Sequence, residues 1–317
     1  MILVCVVFPN SSIASNPAIY TVGLSSGRPA FGNLVGSTSG TATFTETPAG
    51  VITASNGGDF DPHAASRTVS AQTITVNCGT GNNCGNQNVR IQVTLGTLTG
   101  RITSATMTAT MGTAILVSGT TSGSALDFTI KPIGKSSSKN FTLGFTINAS
   151  QAGTVSASTA PYTIIASGGV ADTSGSNATS ASAAIYKGLS LGSTQNLDFG
   201  SIVVGASSGT VALNALGTTR AATGGVTLVK SQASNPVLPA LFSISGETGT
   251  NVTVSFTTDS LTGPGTTMTF AANSTVVGVV TLGSSATPVT VGGTVTVNAS
   301  QTPGVYNGMV HMTVSYN

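Results

Sequence analysis

Apolar residues recur at every second position in this chain, and that period decides what it can fold into. Thr73-Ile74-Thr75-Val76, Arg90 to Leu95, Asn251 to Phe256, Val289 to Val291 and Thr294 to Val297 all alternate aliphatic or aromatic residues with hydroxyl or amide ones. Such alternation puts one apolar and one polar face on a strand, the pattern of half-buried antiparallel sheet. No run shows the i, i+3, i+4, i+7 spacing of a helix, and the strand-like runs are punctuated by Gly, Asn and Pro. The expected fold class is therefore all-β.

Three collinear matches divide the chain into two related halves. Phe31-Gly32-Asn33-Leu34-Val35 resembles Phe199-Gly200-Ser201-Ile202-Val203, and each is followed by a hydroxyl-rich stretch ending in Gly-Thr. Ala18-Ile19-Tyr20 with Gly23-Leu24-Ser25 parallels Ala184-Ile185-Tyr186 with Gly188-Leu189-Ser190. Late in each half, Ile147-Asn-Ala-Ser-Gln151 parallels Val297-Asn-Ala-Ser-Gln301. The expected organisation is two tandem immunoglobulin-like β-sandwich domains, 16–167 and 184–317, joined by a Gly/Ser/Ala-rich linker over 168–183.

Charge excludes several functions. Ten Lys or Arg and eight Asp or Glu make only 6% of 317 residues, against roughly 25% in an ordinary soluble domain. A net charge of +2 supplies no basic face for neutralising phosphates, so nucleic acid is not an expected partner. The 39% hydrophobic fraction and the recurring Val, Ile and Thr argue against disorder.

Residues 1–15, MILVCVVFPNSSIAS, resemble the back half of a secretory signal without its positive start. The alternative for this run is a short buried strand. If the signal is removed, Cys5 leaves with it, and Cys78 and Cys84 remain, six apart across a Gly/Asn-rich turn. That spacing suits a disulfide closing a small hairpin in an oxidising compartment. A metal reading needs a further ligand nearby, and the segment has none.

No catalytic constellation stands out. Gly205-Ala-Ser207-Ser-Gly209 matches G-x-S-x-G but lies between strand-like runs, without the strand–turn–helix context of a nucleophile elbow. Asp59-Phe-Asp61-Pro-His63 gathers two carboxylates and a histidine at a spacing that could hold a hard cation or Zn²⁺, but a polar loop is the favoured reading. Glu46, Asp127, Asp172, Asp198, Glu247 and Asp259 are scattered singly. Asn82, Asn83, Asn86 and Gln87 around the cysteines offer polar contacts to a ligand, or simply serve a turn. No small-molecule cofactor is expected, and the chain reads as a non-enzyme.

The C-terminus carries the most specific local pattern. Val310, Met312, Val314 and Tyr316 share one face of a final strand, Tyr316 is penultimate, and Gly304 is fourteenth from the end. This arrangement resembles that of chaperone–usher pilin subunits. The second half, from Leu197-Asp-Phe-Gly to Tyr316, also resembles an uncharacterised family of secreted β-domains from Gram-negative bacteria. The pilin resemblance implies an incomplete sandwich completed by a strand from a neighbour. Ala18, Tyr20, Val22 and Leu24 share a face and form the candidate donor segment. On this reading 184–190 fill a groove in the first unit of the same molecule. Residues 16–25 fill the second unit of another, giving a head-to-tail homopolymer. The expected function is a structural subunit of a secreted, cell-surface pilus or fimbria-like filament, with a periplasmic chaperone and an outer-membrane usher as implied partners. The alternative keeps both segments as ordinary first strands and makes the protein a two-domain pilus-tip adhesin binding a glycan or an abiotic surface.

Overall fold

The alternating runs become strands. A computed structural model describes residues 16–25, 29–60, 71–152 and 157–317, and in these the architecture is all-β. Contacts group the described chain into two compact units, 16–60 with 71–185 and then 186–317. The proposed signal remnant, Cys5, Asp61 and His63 lie outside the described residues.

The first unit contains β1 (Tyr20–Leu24), β2 (Ala30–Val35), β3 (Thr41–Glu46), β4 (Ile52–Ser55), β5 (Asp59–Phe60), β6 (Gln72–Cys78) and β7 (Val89–Leu95). It continues with β8 (Ile102–Met111), β9 (Leu116–Thr120), β10 (Ser122–Gly123), β11 (Ala125–Ile130), β12 (Ser137–Ser150), β13 (Ser158–Ser167) and β14 (Gly175–Tyr186). One sheet runs β1-β6-β12-β3-β4, with β8 on the other side of β12 and β10 beyond it; the second runs β5-β2-β14-β13-β7-β11-β9. The 14-residue β12 organises the first sheet, because its first half pairs with β6 and its second half with β3. Inward-facing residues of both sheets, among them Phe31, Phe44, Ile74, Ile91, Phe128, Phe141 and Tyr162, form one buried cluster. The unit is thus a β-sandwich, each such side chain contributing about 1.5–3 kcal/mol by burial.

The second unit contains β15 (Ser190–Gln195), β16 (Ile202–Leu213), β17 (Arg220–Leu228), β18 (Ala240–Ser245), β19 (Asn251–Thr258), β20 (Phe270–Ser274), β21 (Gly278–Thr281), β22 (Thr287–Val297) and β23 (Val310–Tyr316). Its larger sheet runs β15-β18-β22-β16-β17, with β20 also on β22, and its smaller sheet is β21-β19-β23. The sequence repeat has a structural counterpart. Gly32 and Gly200, the glycines of the two Phe-Gly pairs, both take left-handed backbone, φ 69° and 66°. The strand after each pair then joins the strand that carries or leads into Asn-Ala-Ser-Gln, β3 with β12 and β16 with β22.

The linker expected over 168–183 is corrected by β14. Residues from Gly175 onward form a strand that pairs with β13 along Ser158↔Ala183 to Ala166↔Gly175 and lies between β13 and β2. Small residues misled the composition argument here. Ala181, Ala183 and Ile185 alternate with Ser180 and Ser182, so this Gly/Ser/Ala tract has an apolar face, and all three of the former are buried. Ile185 therefore does enter the first unit, but as the end of a strand that starts nine residues before the expected 184.

Candidate functional site

One of the edge strands of the second unit, β23, borders a groove. β23 pairs with β19 along Val252↔Tyr316 to Thr258↔Val310 and, among the described residues, ends its sheet with the other edge unpaired. Beside it lies a groove of about 950 Å³. Its apolar lining comes from both sheets: Ile202 and Val211 of β16, Phe242 of β18, Phe270 of β20, Val295 of β22 and Val310 of β23. Phe199 and Phe270 meet edge to face, their ring centroids 5.9 Å apart. The rim is polar, with Asp198, Asn235, Asn307 and His311, and His311 Nε2 lies 3.4 Å from Asp259 Oδ2 in an exposed pair. An unpaired strand edge that starts at a groove of mixed apolar and polar lining offers backbone donors and acceptors together with side-chain pockets, the two things an added strand needs.

Local chemistry holds β23 in place. Met312 and Tyr316 are buried, whereas Val310 and Val314 are half-buried. The Tyr316 hydroxyl donates to the Lys187 carbonyl at 2.7 Å and accepts the Glu247 backbone N–H at 2.8 Å. Its ring lies 5.8 Å from that of Tyr186. The Glu247 carboxylate in turn accepts the Lys187 N–H at 3.0 Å. Gly304 precedes the strand with φ 152°, and a Cβ there would come within 2.4 Å of Pro264 Cγ, so the chain passes Pro264 only as glycine.

The candidate donor segment is committed to its own unit. Ala18, Tyr20 and Val22 are buried in the first unit's core, Leu24 packs against it, and β1 pairs with β6 from Tyr20↔Cys78 to Leu24↔Ile74. In the single chain 16–25 are thus held by their own first unit. A core on the same chain presents its groove at a far higher effective concentration than a neighbour does. Asp172 reinforces the placement, accepting hydrogen bonds from the Ala18 N–H at 2.8 Å, Asn83 Nδ2 at 2.9 Å and the Gly169 N–H at 2.8 Å. Burial pushes the Asp172 carboxyl up, but these hydrogen bonds outweigh it and hold the group below the usual carboxylate range.

Cys78 and Cys84 form a disulfide, with Cα atoms 5.8 Å apart, closing the end of β6 onto a 3-10 turn at Asn82–Gly85. Asn83 and Gln87 of this loop are occupied internally, by Asp172 and by the Gly169 N–H, while Asn82 and Asn86 are exposed. Ser207 of the G-x-S-x-G match lies within β16, where the register with β17 breaks between Val204 and Gly209. Asp59 accepts its neighbour's N–H, from Phe60. Among the described residues no three His, Cys, Asp or Glu side chains gather as a metal site.

Sequence reasoning missed the groove lining and one buried acid. Phe199 stood in the repeat without a role, and the aromatic partner Phe270 carried no signal at all. Glu46 is 1% exposed, its two carboxyl oxygens have no hydrogen-bond partner, and burial raises its pKa to about 7. The alternation Ala42, Phe44, Glu46 already places it on the inward face of β3.

Residues 189–316 are similar to a family described as a domain of unknown function, DUF4402. The match covers the second unit, groove and β23 included, and less than half of the chain. No curated protein matches the chain.

Proposed function

We propose that the protein is a non-catalytic structural subunit of an extracellular filament, whose second unit accepts an extended strand from another copy in the groove beside β23. One observation carries this reading: the unpaired edge strand β23 begins, at Val310 and His311, in the wall of a groove of about 950 Å³ whose lining mixes aromatic and aliphatic side chains with polar ones. The scarcity of charge supports it, since Lys and inward charges are the usual protection of exposed strand edges. The disulfide fits an oxidising compartment outside the cytoplasm. A periplasmic chaperone and an outer-membrane usher are the partners implied by the resemblance of the last strand to pilins.

The donor segment on this reading is β1, which leaves its own first unit to enter the second unit of another copy. β1 is an edge strand with one in-sheet neighbour and a five-residue register, and its release also breaks the hydrogen bonds of Ala18 and Tyr20 to Asp172 and Thr173 and exposes Ala18, Tyr20 and Val22. A second reading, the two-domain adhesin, draws its support from the same segment, because β1 already fills its own core and leaves no spare strand among the described residues. A T21C/N77C pair separates the two. Thr21 and Asn77 face each other in the register and share a hydrogen bond of 3.2 Å, so the new disulfide locks β1 to β6. The filament reading predicts polymers from the parent protein and none from the oxidised variant. The adhesin reading predicts monomers from both, and polymers unchanged by the lock rule out β1 as donor.

A further inference from the structure

One inward-facing row of the first unit breaks the rule that the core is apolar. Across the sheet Met107, Phe145, Glu46 and Ile52 stand in register, Phe145 opposite both Met107 and Glu46, and Glu46 opposite Ile52. Met107 and Phe145 are buried, and Ile52 packs against the core. From the opposite sheet comes Tyr162, whose ring centroid is 4.9 Å from that of Phe145 and whose buried hydroxyl also has no hydrogen-bond partner. Tyr162 is the titratable group facing Glu46; β4, β8 and β12 present Ile52, Met107 and Phe145. A carboxylate here would be a charge without solvent or counter-ion, and such a group is kept neutral or forces its way to water.

The way to water is short. Glu46 is the last residue of β3, followed by the turn in which the Thr47 N–H bonds the Val51 carbonyl, and β4 is the outer strand of that sheet. Four register pairs, Thr43↔Ser55 to Glu46↔Ile52, hold β4 to β3. Gly144 permits the close approach at this point, since a Cβ there would lie 2.6 Å from the Glu46 carbonyl oxygen and from Pro48 Cδ.

We propose that Glu46 makes the β3–β4 hairpin a proton-operated edge of the first unit. With the proton bound to its carboxyl, Glu46 stays among Met107, Phe145, Ile52 and Tyr162 and the hairpin is docked. Loss of that proton to solvent leaves a carboxylate that turns outward and takes the turn and β4 with it. This device is independent of the groove in the second unit.

Amide hydrogen exchange of the full chain at pH 5.5 and 8.5, corrected for intrinsic rates, tests it. Protection of 43–55 falls by about tenfold or more at the higher pH, while the β13–β14 pair keeps its protection. Glu46→Gln removes that dependence. Equal protection at both pH values in the parent chain overturns the proposal, as does a pH response that survives in the variant. Should the variant not fold, infrared spectra of the parent decide: a protonated-carboxyl band at pH 6 that is lost by pH 8.5 supports it, and no such band overturns it.

Discussion

The Tyr316 hydroxyl donates to the Lys187 carbonyl at 2.7 Å, so the second-last residue of the chain is tied to the segment that opens the second unit. The same oxygen accepts the buried Glu247 N–H. The last strand is held by side-chain chemistry at its end and by one neighbour along its length, and the groove side of β23 is left open.

Tyr316→Phe keeps the ring packing against Tyr186 and removes both hydrogen bonds. The loss of polar partners in a buried place costs about 1–3 kcal/mol. Denaturant titration of the second unit reads this as a lower midpoint with an unchanged slope.

Asp172→Ala removes the acceptor shared by Ala18, Asn83 and Gly169, and loosens the start of β1. A charge-assisted hydrogen bond contributes about 1.5–3 kcal/mol, so the first unit's unfolding free energy falls by about the lower figure or more, and its denaturant midpoint falls with it. The pH sign follows from the depressed carboxyl: its stabilisation is complete above the ordinary carboxylate pKa and is lost as acid protonates it in the folded state. Acid titration of the parent chain shows this loss, and the variant lacks it.

Reduction of Cys78–Cys84 opens a loop with six residues of sequence separation. Loop-closure entropy for so small a ring is worth roughly 2 kcal/mol. Thermal melts with and without reductant read the difference in the first unit, and a Cys78→Ala, Cys84→Ala chain shows no effect of reductant.

Ile185→Ala tests whether the Gly/Ser/Ala tract belongs to the fold. Ile185 is fully buried, and truncation of such a side chain costs about 2–5 kcal/mol. A flexible linker tolerates the change, so an unaltered first-unit midpoint contradicts the placement of β14.

Much of the fold was legible because period two is a local property: Ile74, Val76, Ile91 and Val93 declare their inward face within a few residues of sequence. The repeat was legible for the same reason, and Gly32 and Gly200 show why its glycines recur. β14 was not, since Ala181 and Ala183 give a weak hydrophobic signal, and only packing against β13 and β2 makes them core. The groove was hidden because its walls, Phe199, Phe242, Phe270 and Val310, are brought together from four distant places. The home of Ala18, Tyr20 and Val22 was hidden too, because an apolar face does not say whose core it enters.

On the proposed function, the groove beside β23 receives a strand from another copy. Cryo-electron microscopy of the purified, natively folded chain tests it most directly. The expected images show filaments in which an added strand lies along the free edge of β23 over Phe199, Phe270 and Val310. Monomers alone, or filaments in which that groove is empty, would contradict it.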